Sequence, residues 1–154
     1  MTVRFRRAGV DDMADIVELS AILFQEDAGE RDPTVNLRWP EDEGREYFAG
    51  LVDGESSVCL LAEIGGDVVG YLAGRLREGT SLRPGKTAEL ESMCVREEHR
   101  GRGMGEGLIE EFFAWAGARG AERATVTAYA ANERAIRLYE RRGFRPGACR
   151  WRGG

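Results

Sequence analysis

The sequence predicts an α/β fold in which one mixed sheet is covered by helices on both faces. Strand-like and helix-like segments interleave in the order β-α-α-β-β-β-α-β-α-β. A Gly65-Gly66 pair between two apolar runs marks a hairpin, whereas a whole helical segment separates the fourth strand from the fifth and marks a crossover. At 154 residues the chain is long enough for one domain with its own core, and it contains no internal repeat or low-complexity linker.

Val3 to Arg7 alternates and reads as the first strand. From Asp11 to Phe24, Ile16, Leu19, Ile22 and Leu23 fall on one helical face, and Asp11, Asp12 and Asp15 suit the positive end of that helix. Gln25 to Pro40 is polar and reads as a loop or broken helix. Pro40 then fits the first position of a second helix, Glu41 to Leu51. Ser57–Ile64 and Val68–Arg77 flank the hairpin turn, Glu78–Lys86 is a loop, and Thr87–Arg96 is the next strand. A helix running to Ala118 is closed by Gly120. Arg123–Tyr129 is a strand, Asn132–Arg142 a short helix closed by Gly143, and Phe144 begins a last strand.

The net charge of −5 is unevenly spread. Residues 1–50 hold twelve Asp/Glu against six Arg, while residues 96–154 hold eight Glu against twelve Arg. The first region favours a cationic partner and the last an anionic one; overall acidity argues against general nucleic-acid binding. No apolar run is long enough to span a bilayer, and MTVRFRRAGVDD lacks the apolar core of a secretory signal, so a cytoplasmic protein with no membrane association is expected. Cys59, Cys94 and Cys149 are odd in number and widely spaced, without a CxxC or Cys/His cluster. They read as small buried hydrophobes, and no metal is expected.

The most informative stretch is Arg100-Gly101-Arg102-Gly103-Met104-Gly105, between the strand LESMCV and the helix EGLIEEFFAWAGA. Alternate glycines let successive backbone N–H groups point at one spot. The helix start adds its own free N–H groups and the positive end of its dipole. Such a turn is built for a phosphate or diphosphate.

Strand, RGRGMG, helix, strand and then NERAIRLYERRGF resemble the GNAT N-acetyltransferase superfamily. The acyl-CoA motif Gln/Arg-x-x-Gly-x-Gly/Ala is matched by residues 100–105. Its second signature is matched by Asn132, Tyr139, Gly143 and Phe144. The resemblance spans nearly the whole chain and implies a mostly antiparallel sheet with a V-shaped splay. It implies that acetyl-CoA is the cosubstrate, with its diphosphate on Arg100, Gly101, Arg102, Gly103, Met104, Gly105 and Glu106. It further implies that the pantetheine arm runs along Met93, Cys94 and Val95 and meets Asn132. On the same basis Tyr139 is the general acid for the leaving thiolate, and Glu91 or Glu89 the base that takes a proton from the acceptor amine. Two residues apart, these glutamates share a face unless a bulge intervenes. Asn132 also reads as a plain helix N-cap and Tyr139 as a plain core aromatic. His99 reads as a loop residue near the phosphates.

The acceptor is less legible. The resemblance places it along the first two helices and their connection, together with the loop between the third and fourth strands; Glu26, Asp27, Glu30, Asp32, Glu41, Asp42 and Glu43 stand in the first of these regions. An acidic groove there would suit a small cationic amine such as a polyamine, an aminoglycoside-like amine or a lysine-like group; a solvated surface is the plainer reading. Trp39, Tyr47 and Phe48 either line that groove or pack beneath it. Acetylation of a protein or peptide, and non-catalytic binding of acyl-CoA, stand as alternatives. Trp151, apolar among arginines, is the sequence's one hint of a homodimer.

Overall fold

Four alternating segments pair with their sequence neighbours: β1 (Val3–Arg7), β2 (Ser57–Ile64), β3 (Asp67–Arg77) and β4 (Lys86–Val95), each antiparallel to the last. The computed structural model describes residues 2–128, 132–147 and 150–153. Gly65 and Gly66 both have positive φ (58° and 90°), as the two central residues of a tight β2–β3 hairpin require. α4 (Met104–Ala118) then carries the chain across to β5 (Ala121–Val126), which lies parallel to β4. The expected last strand is a hairpin, β6 (Phe144–Gly147) and β7 (Arg150–Gly153). The order among the described residues is β1-β2-β3-β4-β5-β7-β6, so the chain's final strand inserts beside β5. Tyr129, expected as the end of the fifth strand, and Cys149 lie outside the described residues, as does the side chain of Trp151.

The sheet splits where β4 outruns β5. Their pairing ends at Leu90↔Val126, and Ser92 to Val95 pair only with β3. A β-bulge lies at the same point: Ala73 faces Ser92 while Gly74 faces Leu90, leaving Glu91 as the extra residue. The bulge reverses the alternation. Ala88 and Leu90 face α4, and so do Met93 and Val95, whereas Cys94 joins the opposite core.

Helices cover both faces, as expected. α4 and α5 (Glu133–Arg141) pack on one side through Leu108, Ile109, Phe112 and Tyr139. α1 (Met13–Leu23) and α3 (Arg45–Asp53) pack on the other, burying Ile16, Leu19, Phe48 and Leu51 against Leu61 and Tyr71. The polar segment after α1 is a broken helix: a wider π-helical turn, Phe24–Ala28, runs into a short α2 (Gly29–Arg31). Pro40 opens a second π-helical turn, Pro40–Gly44, that leads into α3.

Tyr71 and Tyr139 are both buried, and burial holds each phenol well above its ordinary range. The unfolded chain releases these protons from about pH 10, where the folded chain still holds them. Their contribution is therefore complete below that pH and is lost above it. Urea denaturation between pH 9 and 11 should show the folding equilibrium falling by up to about tenfold per pH unit per phenol, and Tyr71→Phe should remove one share of that slope.

Candidate active site

The glycine turn folds as the alternation of glycines dictates. A short 3-10 turn, Glu97–His99, leads into it; Gly101 (φ 76°) and Gly103 (φ 86°) are both left-handed, and α4 begins at Met104 with Gly103 as its cap. The first helical bond is donated by the Gly107 N–H to the Gly103 carbonyl at 3.0 Å. The N–H groups just ahead of it have no carbonyl one turn back and remain available to an anion. Gly105 has a second reason to lack a side chain: a Cβ there would stand 3.0 Å from Leu138 of α5.

This turn opens on a cavity of about 580 Å³. Of the residues singled out in the sequence, Met93, Cys94, Val95, Arg100, Gly101, Gly103, Met104, Gly105, Glu106, Asn132 and Tyr139 all line it. His99 lines it too, and its Nδ1 is buried without a hydrogen-bond partner. Arg102 is exposed and is not among the lining residues. Glu89 and Glu91 are not among them either.

Several groups are already engaged. Arg100 Nε donates to the Val95 carbonyl (2.7 Å), and its guanidinium pairs with Glu26 at 2.7 Å. Asn132 caps α5, its Oδ1 accepting from the Ala135 N–H at 3.1 Å, and its Nδ2 donates to Asp27 at 3.0 Å. The Asn132 side chain thus both starts the helix and ties it to the π-helical turn across the cavity. Tyr139 is 7% exposed and packs edge-on to Phe144 at 5.8 Å. Burial, reinforced by the Asp27 charge, keeps its hydroxyl protonated. Burial also pushes the Cys94 thiol up to about 11 despite Arg100, so the sulfur is a poor nucleophile at neutral pH.

Other lining residues were not singled out for this role. Glu26 and Asp27, expected beside the acceptor, line this cavity; burial holds the Asp27 carboxyl above the usual range although Arg31 and Asn132 pull it down. Arg134, Arg137 and Arg141 of α5 also line it. Their i, i+3, i+7 spacing was a readable signal for one helical face. Arg31, Arg100 and Arg141 pair with Asp27, Glu26 and Glu106 respectively; Arg134 and Arg137 have no ion-pair partner among the described residues. The cavity therefore keeps a surplus of positive charge beside the helix start.

The bulged glutamate stands on an adjoining cavity of about 430 Å³. Glu91 and Ser92 line it; the next residues of β4, Met93 to Val95, line the first. Phe24 and Leu23 divide in the same way. Tyr47 Oη donates to Glu91 Oε1 at 2.5 Å, and Arg75 Nε pairs with Glu91 Oε2 at 2.9 Å. Burial, then the Glu91 hydrogen bond, raises the Tyr47 phenol, so this hydroxyl stays a donor. Glu89 accepts from two guanidinium nitrogens of Arg77, Nη2 at 3.0 Å and Nε at 3.3 Å, and lines neither cavity. Among the described residues no group of three or more His, Cys, Asp or Glu could hold a metal ion, and no helix is long and apolar enough to cross a membrane.

The acetyltransferase (GNAT) family model matches residues 18–144. The chain is 27% identical over 143 residues to an uncharacterised N-acetyltransferase of Methanocaldococcus jannaschii, an alignment that covers 93% of this chain and 61% of that protein. It is equally similar to one from Archaeoglobus fulgidus, with 93% of each covered. The chain thus spans about three fifths of the length of the first relative and nearly all of the second. The crystal structure of PaiA N-acetyltransferase from Thermoplasma acidophilum in complex with coenzyme A superposes with a TM-score of 0.80. At 13% identity over 99% of this chain and 97% of that one, this likeness is one of fold. The family match runs from α1 through the glycine turn and α5 to Phe144, the elements that build the cavity, and the chain belongs to the acetyltransferase (GNAT) family.

Proposed function

We propose that this acetyltransferase moves the acetyl group of acetyl-CoA onto the primary amine of a small cationic acceptor, by direct attack within a ternary complex. The observation that carries the reading is the glycine turn at the start of α4, opening on a cavity that runs along the end of β4 beyond its pairing with β5. Backbone N–H groups of residues 101–106 hold the diphosphate, with Arg134 and Arg137 adding charge. Met93, Cys94 and Val95 offer the arm of the cosubstrate a strand edge that β5 has left.

In this reading Glu91 takes a proton from the acceptor ammonium, directly or through water. The freed amine attacks the thioester carbonyl; as the tetrahedral adduct collapses the C–S bond breaks, the Tyr139 hydroxyl gives its proton to the departing sulfur, and the excess proton on the new amide nitrogen passes through water to restore the phenol. Glu91 is favoured over Glu89 because it lines a cavity next to the first, whereas Glu89 is clasped by Arg77. Tyr47 and Arg75 fix the Glu91 carboxylate while leaving it unfilled acceptor positions.

The test is release of free thiol from acetyl-CoA across a panel of amines and peptides. Amine-dependent release is expected. Release with peptides alone would redirect the reading to polypeptide acetylation, and CoA binding without release would reduce the protein to a binding module. With an active amine, Glu91→Gln should lower kcat by roughly tenfold or more and Glu89→Gln should leave it within about twofold. The reverse ranking would move the base to Glu89.

A further inference from the structure

The cavity beside Glu91 is walled by rings. Phe24 and Trp39 stack at 5.7 Å with planes 7° apart, and Trp39 meets Tyr47 edge-on at 5.3 Å. Phe48 closes the base of the cluster and is itself buried. Trp39 and Tyr47 are half-buried, and both line the cavity. Its volume, about 430 Å³, lies within the range of small-molecule sites.

The acidic residues that the sequence offered for a cationic groove are elsewhere. Glu41, Asp42 and Glu43 are exposed between the buried Pro40 and Gly44, and Asp42 pairs with Arg38. Glu30 is exposed, Asp32 accepts from the Thr34 N–H and hydroxyl, and Glu26 and Asp27 face the other cavity. Among the described residues, one carboxylate lines the ring-walled chamber: Glu91. A polycation seated here would bring several ammonium groups to one carboxylate that is already paired with Arg75. A molecule with one amine and an apolar body buries that body and brings its nitrogen to Glu91.

Building on the acetyl-transfer reading above, we propose that the acceptor is a monoamine carried on an aromatic or similarly compact apolar body. The body lies against Phe24, Trp39 and Tyr47, and the nitrogen lies at Glu91. Aromatic contact supplies the affinity, and the single carboxylate places the one nitrogen.

The experiment compares 2-phenylethylamine, spermidine and kanamycin as acceptors, with calorimetric titration of each amine into the protein–CoA complex. 2-Phenylethylamine should exceed both polycations in kcat/KM by about tenfold or more. Trp39→Ala should raise its KM by about tenfold while leaving the KM for acetyl-CoA in place, and Trp39→Phe should restore most of the loss. Thermal melts of both variants separate a lost chamber from a lost fold. Preferred acetylation of spermidine or kanamycin overturns the proposal and leaves acetyl transfer standing, as does failure of 2-phenylethylamine to bind. Trp39-dependent binding of 2-phenylethylamine without thiol release from any amine supports the chamber and overturns the acetyl-transfer reading.

Discussion

Gly103→Val should abolish CoA binding while leaving most of the fold intact. Gly103 caps α4 at φ 86°, in the left-handed region that a β-branched residue enters only under strain. Space is not the obstacle, since a Cβ there would meet only Glu106 Oε2, at 4.0 Å. The substitution acts by turning the backbone: relief of the strain rotates the N–H groups that converge before the first helical bond, and the valine methyl groups stand where the diphosphate would lie. Titration with CoA should show affinity reduced by at least about a hundredfold, with a melting temperature only a few degrees lower. Gly105 would be a poorer probe, because its Cβ would also press on Leu138 and loosen the α4–α5 contact. Retained affinity in Gly103→Val would place the diphosphate elsewhere and remove the basis of the functional reading.

Tyr139→Phe should lower kcat by roughly 10- to 1000-fold with CoA affinity unchanged. The ring keeps its edge contact with Phe144, so the variant loses a proton and little packing. Burial and the nearby Asp27 charge hold the phenol protonated through any ordinary assay range. The alkaline side of the wild-type rate profile should therefore carry no inflection from this group below about pH 10. Steady-state kinetics with thiol detection, paired with CoA titration, checks both halves. An unchanged rate would return Tyr139 to the role of a core aromatic.

The two substitutions depend on different kinds of information. The glycine turn was legible because its constraint is local: positive φ at alternate residues, followed by a helix start, is written in consecutive positions. Asn132 was legible for the same reason, since capping depends on the next few residues. The wide turn after α1 was only half legible. Its polarity announced a break, but nothing in the residues said that the break would carry Glu26 to Arg100 and Asp27 to Asn132. Arg100 shows the same limit: its charge suited a phosphate, yet its guanidinium is occupied by Glu26 and a β4 carbonyl.

Local pattern sufficed for most strands and helices, the hairpin at Gly65-Gly66, the crossover through α4 and the anion-ready turn at its start. These follow from periodicity and from backbone preferences that act over a few residues. Packing between distant segments decided the rest. The bulge at Glu91 depends on how β4 registers against β3, and it sends Glu91 and Ser92 to one cavity and Met93 to Val95 to the next. The closing hairpin depends on which edge β5 leaves open, and the ring-walled chamber on α1 and α3 bringing Phe24 to Trp39. Register and approach are properties of pairs of segments, and no single stretch of sequence contains both members of a pair.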